Sequence, residues 1–456
     1  MSIIQKLRKR IDKLSSAIEA QELLLQKLID RRTEVQRELN YYLDPMARLP
    51  FELQSHIFML CTPSSTLIEL RSKIYPLCTH DSSTLKPDLT APQMVFLAVS
   101  RLWRNIALAT PRLWCDIQID ASLHRPNYRD LSELWLARAQ DLPLSMTIGG
   151  PLALTQSVQD SVAQHSHRLE NLTISLLRHM QTPDIKFNWD ESTPFSCMKC
   201  LTVEADRLTY CGAMRQWLDV LRAAPALSSL RLDNIYFRTD TGIGADHHLT
   251  LASLRYLQLG KPFTWDLRQE HSSTLLILRF LTLPALEVLS ISCFDLPYEE
   301  LLDFLTRSSP PLQCLNIAIP LDWSFSFVAR FLRLIPTLIS LTLSATPTED
   351  RSERFLPFIE VLSTSPDLLP NLREIALRTE MPLIIDYGSV VEMLTFRVTS
   401  CPTPLESFRL TSPLTVPLQG KFLLPIMPDD DVDFELHQLA IKGLKIHIGP
   451  WARNLF

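Results

Sequence analysis

At 456 residues with a formal charge of −5, the chain is too long for one ordinary core and has no charge excess to draw it to nucleic acid or an anionic membrane. Hydrophobic residues make up 46% and charged residues 21%, which fits a folded chain and excludes a disordered one. Its ten glycines fall far below the average of roughly 7%, so folds that cradle phosphates in glycine-rich loops start at a disadvantage.

Residues 4–42 carry a heptad. Ile4, Ile11, Ile18, Leu25, Arg32 and Leu39 occupy the a positions, and Leu7, Leu14, Gln21, Leu28, Val35 and Tyr42 the d positions. Ten of the twelve are apolar and the stretch holds no Gly or Pro, so one long helix is expected. Ile at a with Leu at d favours a parallel two-stranded coil. The flanking pairs Arg10 with Ser15 and Leu24 with Ile29 are not complementary charges. Two readings therefore stay open: self-association through residues 4–42, or packing of the helix on its own protein. The cluster Lys6, Arg8, Lys9 and Arg10 reads as a solvated face or a nuclear signal.

Asp44-Pro45 ends the heptad, since proline cannot continue a helix. Next comes Leu49-Pro50-Phe51-Glu52-Leu53, with Pro50 suited to a first helical turn. Leu53, Ile57 and Leu60 fall at i, i+4 and i+7 and share one face. From Thr62 to Pro92 the chain is rich in Ser, Thr and Pro and reads as a loop or insertion. Helical period returns from Phe96 to Ala107, and Thr110 to Trp114 closes the segment.

These segments together resemble the F-box, a small helical module. The first half of its pattern is carried by Leu49, Pro50, Glu52, Leu53, Ile57, Phe58 and Leu60. The second half is carried by Val99, Ser100, Trp103, Arg104, Pro111, Leu113 and Trp114. The resemblance implies docking on a Skp-family adaptor and, through it, on a cullin. It makes Leu49, Pro50, Leu53 and Ile57 the candidates for adaptor contact, with Trp103 and Trp114 packing inside the module. The insertion departs from the continuous family pattern. Such insertions, and an N-terminal helix, are similar to those of the expanded F-box families of mushroom-type fungi.

From residue 169 onward a Leu-x-x-Leu-x-Leu hexad recurs ten times at spacings of 26 to 34 residues. Its anchors run from Leu169/Leu172/Ile174 through Leu227/Leu230/Leu232 and Leu338/Leu341/Leu343 to Leu405/Phe408/Leu410 and Leu436/Leu439/Ile441. This is the signature of leucine-rich repeats. Helical stretches lie between hexads at Met214–Leu221, Glu299–Leu305 and Phe325–Leu334, and prolines such as Pro225, Pro311, Pro336 and Pro404 precede the next hexad. A parallel sheet with helices outside is expected. Trp114/Ile117/Ile119 reads as a cap to the array, and Leu142, Leu144 and Met146 as a further strand. The Asn usual three residues past the hexad is missing in most units (Leu177, Ile235 and Phe294 stand there), so the repeats should be irregular. The expected architecture is α/β: a coiled-coil helix at 1–42, an F-box at 43–118 interrupted at about 62–92, and a leucine-rich-repeat solenoid at 119–456.

Alternate strand positions should leave Arg231, Asp233, Tyr256, Gln258, Asn316, Glu374, Arg378, Arg409 and Lys442 pointing away from the core. Repeat proteins bind on such surfaces, which makes Arg231, Tyr256, Arg378 and Arg409 the candidate substrate contacts. Arg378, Arg409 and Lys442 give a basic lean opposite an acidic loop at Asp429-Asp430-Asp431.

Catalytic signatures are missing from the sequence. Cys197 and Cys200 form a lone Cys-x-x-Cys, with Cys211, His165 and His167 the nearest further ligands; buried thiols are the expectation, with no metal. No P-loop, Gly-x-Ser-x-Gly or His-Glu-x-x-His pattern occurs, so neither enzyme activity nor a cofactor is expected. The start of the chain lacks a secretory pattern and no 18-residue apolar run occurs, which points to the cytoplasm or nucleus. The functional expectation is the substrate-recognition subunit of a cullin-type ubiquitin ligase, with an unknown protein as substrate. The alternative is a non-catalytic scaffold using the same surfaces without ubiquitination.

Overall fold

The computed structural model describes residues 3–62, 92–120, 128–149, 156–176, 194–238, 248–260, 273–292, 298–319, 323–345, 355–379, 386–411, 416–418, 421–423 and 430–449. Most of the expected insertion lies outside them, as do Leu177, Phe294 and Asp429. The chain divides into two compact units. The first is Met1–Trp114 with Arg138–Gln140, and the second takes the rest.

The first unit begins with one continuous helix, Ile3–Leu43. Its seam residues from Leu7 to Leu39 are exposed, so the helical module of this unit does not cover them. A 3-10 turn, Pro45–Arg48, follows, with the Asp44 carboxylate accepting from the Met46 N–H at 2.8 Å. The helices Phe51–Cys61, Pro92–Val99 and Arg101–Leu108 and the turn Pro111–Trp114 complete the unit. The helical period from Phe96 to Ala107 is thus broken rather than continuous. Ser100 is extended (φ −153°, ψ 167°) and its hydroxyl accepts from the Trp103 N–H at 3.1 Å, which starts a new helix with a side-chain cap.

The second unit is mixed α/β. Twelve strands, from Asp116–Asp120 to Lys445–Gly449, join in chain order into one sheet, and every pairing in it is parallel. Parallel neighbours need crossover connections, and eight of the eleven carry an α-helix among the described residues. The Asp116–Asp120 strand pairs with Leu144–Gly149, so the sheet starts within the segment read as a cap, and the unit begins at Cys115 rather than 119.

Register explains the hexad. Its second position forms one row across the sheet: Ile117, Met146, Leu172, Leu201, Leu230, Leu257, Leu289, Leu315, Leu341, Ile375, Phe408 and Ile446. All are buried except the half-buried Ile446. The third position forms a second row from Ile119 to Ile448, buried in all twelve strands. Each row burial withdraws apolar area from water and brings matched side chains together across the ladder. Seven successive strands, starting at Ser229 and ending at Ser407, share one entry. Two consecutive N–H groups donate to a single carbonyl of the strand before, as Ile339 and Ser340 do to Gln313 O at 2.8 and 2.9 Å. That repeated fork pins the register.

The outer helices pack on one another and on the rows. The helices Phe325–Arg333 and Leu356–Thr364 are joined by Trp323, which lies against Phe327, Phe331 and Phe358 with ring centroids 4.8 to 5.6 Å apart.

The last unit differs from expectation. Leu436, Leu439 and Ile441 lie on the helix Asp430–Ile441, and the strand follows at Lys445–Gly449. Asp430 and Asp431 are therefore not a loop. They open that helix together with Asp433, where carboxylates favour the positive end of the helix dipole. Lys442 falls in the turn after the helix, away from the strand.

Candidate functional site

Two surfaces carry the residues singled out from the sequence. On the first unit, the core of the helical module is aromatic. Phe58 stacks on Phe96 (centroids 4.2 Å, 16°) and tilts against Trp103 at 5.1 Å. The Trp103 indole N–H donates to the Asp44 carboxylate at 3.1 Å, so the turn before the module is tied to its last helix. Trp114 is fully buried, donates to Ala107 O at 2.8 Å, and has the Arg138 guanidinium 4.5 Å over its ring. Both tryptophans thus act as packing residues. Gln54 is buried too, its amide donating to Met46 O at 2.6 Å and Leu49 O at 2.9 Å. Gln93 donates similarly to Leu113 O.

With Gln54 and Phe58 turned inward, the helix Phe51–Cys61 must turn its other face outward. Leu53 (50% exposed), Ile57 (36%) and Leu60 (73%) stand on that face, with Phe51 also exposed. Pro50, also exposed, precedes the helix with φ −56° and ψ 150°. Leu49 is half-buried and its carbonyl is occupied by Gln54. The later helices expose Val95, Val99 and Leu108. Seven large apolar side chains exposed on a module this small depart from the single scattered apolar residues of an ordinary surface.

On the second unit, the row between the two apolar rows points the opposite way. Across the sheet it reads Gln118, Thr147, Thr173, Thr202, Arg231, Gln258, Ser290, Asn316, Thr342, Ala376, Arg409 and His447. Eleven of twelve are polar; Gln258 and Ser290 are buried, and the others stand at least partly open to water or a polar partner. Arg231 and Tyr256 come together: the guanidinium lies 5.9 Å from the ring centroid. The Tyr256 hydroxyl donates to Gln258 Oε1 at 2.6 Å, and Gln258 donates to the Asp233 carboxylate at 2.9 Å. Register brings these four residues from neighbouring strands into one hydrogen-bonded patch, in which Arg231 and Tyr256 are half-buried while Asp233 and Gln258, expected to point away from the core, are buried.

Arg378 and Arg409 lie on adjacent strands, with Arg378 aligned to Thr411 and Arg409 to Ala376. Burial, and then the charge of Arg409, lower the pKa of Arg378. Two like charges set side by side cost energy in the free protein. The position equivalent to Arg409 on the last strand is His447, with Lys445 also on this face; the basic lean expected of Lys442 is carried by Lys445. The structure does not bring Arg231 and Tyr256 into contact with Arg378 and Arg409; four strands stand between the Tyr256 strand and the Arg409 strand.

One residue escaped the sequence reading. Asn234, one position before the expected place, is buried with φ 56° and donates to Ala205 O of the preceding strand at 2.8 Å. The signal was an Asn beside Ile235, shifted by one residue.

Cys197 is exposed and Cys200 half-buried, while burial pushes the Cys211 thiol up to about 12. Burial, followed by the charges of Arg168 and His167, lowers the His165 pKa. Among the described residues no group of three His, Cys, Asp or Glu side chains is placed to hold a metal, and no helix is long and apolar enough to cross a membrane. No family model matches the chain, and no curated protein matches it.

Proposed function

We propose that the helical module between Asp44 and Trp114 is an F-box that docks a Skp-family adaptor, and that the twelve-stranded unit is a leucine-rich-repeat receptor for a protein substrate. The chain is then the substrate-recognition subunit of a cullin-type ubiquitin ligase. The carrying observation is how the motif residues divide. Phe58, Trp103 and Trp114 build the module, whereas Leu53, Ile57 and Leu60 stand exposed on one helix face. An apolar stripe that its own core leaves largely uncovered gains further stabilisation from a partner. The polar row, with its Arg231–Tyr256 patch and its arginine pair, supports a mixed polar substrate surface; Tyr and Arg are among the side chains most enriched at interface hot spots. Ubiquitin transfer belongs to other subunits, and this chain contributes proximity.

The test is co-expression with a Skp-family adaptor and a cullin. The expected result is a stable ternary complex that Leu53→Ala with Ile57→Ala disrupts while the melting temperature of the free chain stays unchanged. Adaptor binding without cullin would leave a scaffold that does not ubiquitinate. A wild-type chain that binds no adaptor refutes the F-box reading outright.

A further inference from the structure

The helix Ile3–Leu43 is the largest exposed apolar feature of the first unit: Leu7, Ile11, Leu14, Ile18, Leu25, Leu28, Val35 and Leu39 are each 50–61% exposed. In proteins most of a helix's stability comes from packing of its apolar face rather than from propensity. We propose that two copies of this chain pair through it as an antiparallel coiled coil, with Ile11 of each copy beside Val35 of the other and Ile18 beside Leu28.

Polarity follows from the seam and from charge. In a parallel pair Arg32 meets Arg32 and Gln21 meets Gln21 in the apolar seam, and two like charges at one layer repel. In the antiparallel register Arg32 lies beside Leu14 and Gln21 beside Leu25, and the two arginines move about 27 Å apart along the axis. All twelve seam positions still find a partner layer. The helix ends also differ in charge. Residues 3–14 hold Lys6, Arg8, Lys9, Arg10 and Lys13 against the single Asp12, whereas residues 32–43 balance Glu34 and Glu38 with Arg32 and Arg37. A parallel pair stacks the two basic ends together. The antiparallel pair sets each against the neutral end and places Arg10 opposite Glu38 at both ends. At the centre Leu24 meets Leu24, widening the apolar stripe on the two-fold axis, and Glu22 facing Glu22 is the one like-charge contact. Seam and flanking positions together put about 22 residues a side in contact, within the roughly 20–30 of a stable complex.

The inference is independent of the F-box reading, because it uses only residues 3–43. The full-length chain, with exposed Cys61 and Cys197 changed to Ser, is made in two forms that each carry one new thiol in the helix, Ile11→Cys and Val35→Cys. Light scattering is expected to give twice the chain mass. Mild oxidation of the mixed forms is expected to join one form to the other through a disulfide between their introduced thiols, with neither form cross-linking to itself. Ile18→Glu with Leu28→Glu is expected to return the monomer with an unchanged sheet signal. Self-linking of Ile11→Cys alone overturns the antiparallel register, and a monomeric mass for the wild-type chain overturns the pairing altogether.

Discussion

Arg397 offers the sharpest test of how the repeated unit is held. It is 1% exposed on the helix Tyr387–Thr399, yet it belongs energetically to the previous helix, Leu356–Thr364. Leu362 lies near the end of that helix, and the residue four positions on is Pro366, which has no N–H to offer its carbonyl. Arg397 Nε fills the gap at 2.9 Å, and Nη1 donates to Leu368 O at 2.7 Å. The cation also suits the negative end of the helix dipole. Arg397→Met keeps most of the aliphatic stem and removes both bonds. Each buried carbonyl left without a donor costs about 1–3 kcal/mol, partly offset by relief of the guanidinium's desolvation. A net loss of about 2–3 kcal/mol is expected. Urea unfolding followed by circular dichroism measures it. Hydrogen exchange on residues 356–364 localises it, since a stacked array need not unfold in two states. Arg397→Lys, with one point charge for two carbonyls, should fall between. A Met variant within about 0.5 kcal/mol of the wild type would mean that desolvation cancels the two bonds, and the stapling argument fails. Arg307, donating to Leu278 O and Leu281 O, and Arg168, donating to Leu136 O, extend the same device to other units.

Three further outcomes are expected. Phe58→Ala should destabilise the helical module by about 3–5 kcal/mol, whereas Leu53→Ala on the exposed face should change it by less than about 0.5 kcal/mol; thermal melts of the two variants distinguish core from surface. At Asn234, Gly should be tolerated better than Ala by about 1 kcal/mol, because both lose the bond to Ala205 O but only Ala keeps the left-handed strain; equal stabilities would show that the backbone is not strained there. Thiol titration at pH 8 should modify Cys61 and Cys197 quickly and Cys211 only on unfolding. The Cys211 thiol is buried and raised to about 12, and the thiolate is the reactive form; fast native-state labelling of Cys211 would contradict that burial.

The hexads were readable because each apolar position repeats in register with its neighbours, so the local patterns of successive units support one another. The failure at Leu436/Leu439/Ile441 is instructive. Leu-x-x-Leu satisfies a helix period as well as a strand hexad, and Leu436 and Leu439 are buried, but from a helix. The three aspartates in its first turn were the overlooked signal. Arg397, Arg307 and Arg168 had no local signature, since their partners lie 26 to 35 residues away.

The sequence by itself determined the long N-terminal helix, the period of the array and the split motif between Leu49 and Trp114, because each rests on spacing along the chain. It also set Leu53, Ile57 and Leu60 on one helix face. Which face of that helix would be buried was decided only in three dimensions. Phe58 found Phe96 and Trp103, from helices beyond the segment read as an insertion, and that contact turned Gln54 inward and Leu53, Ile57 and Leu60 outward. The Arg231–Tyr256–Gln258–Asp233 patch arose the same way, from strand register rather than from any pattern within one strand.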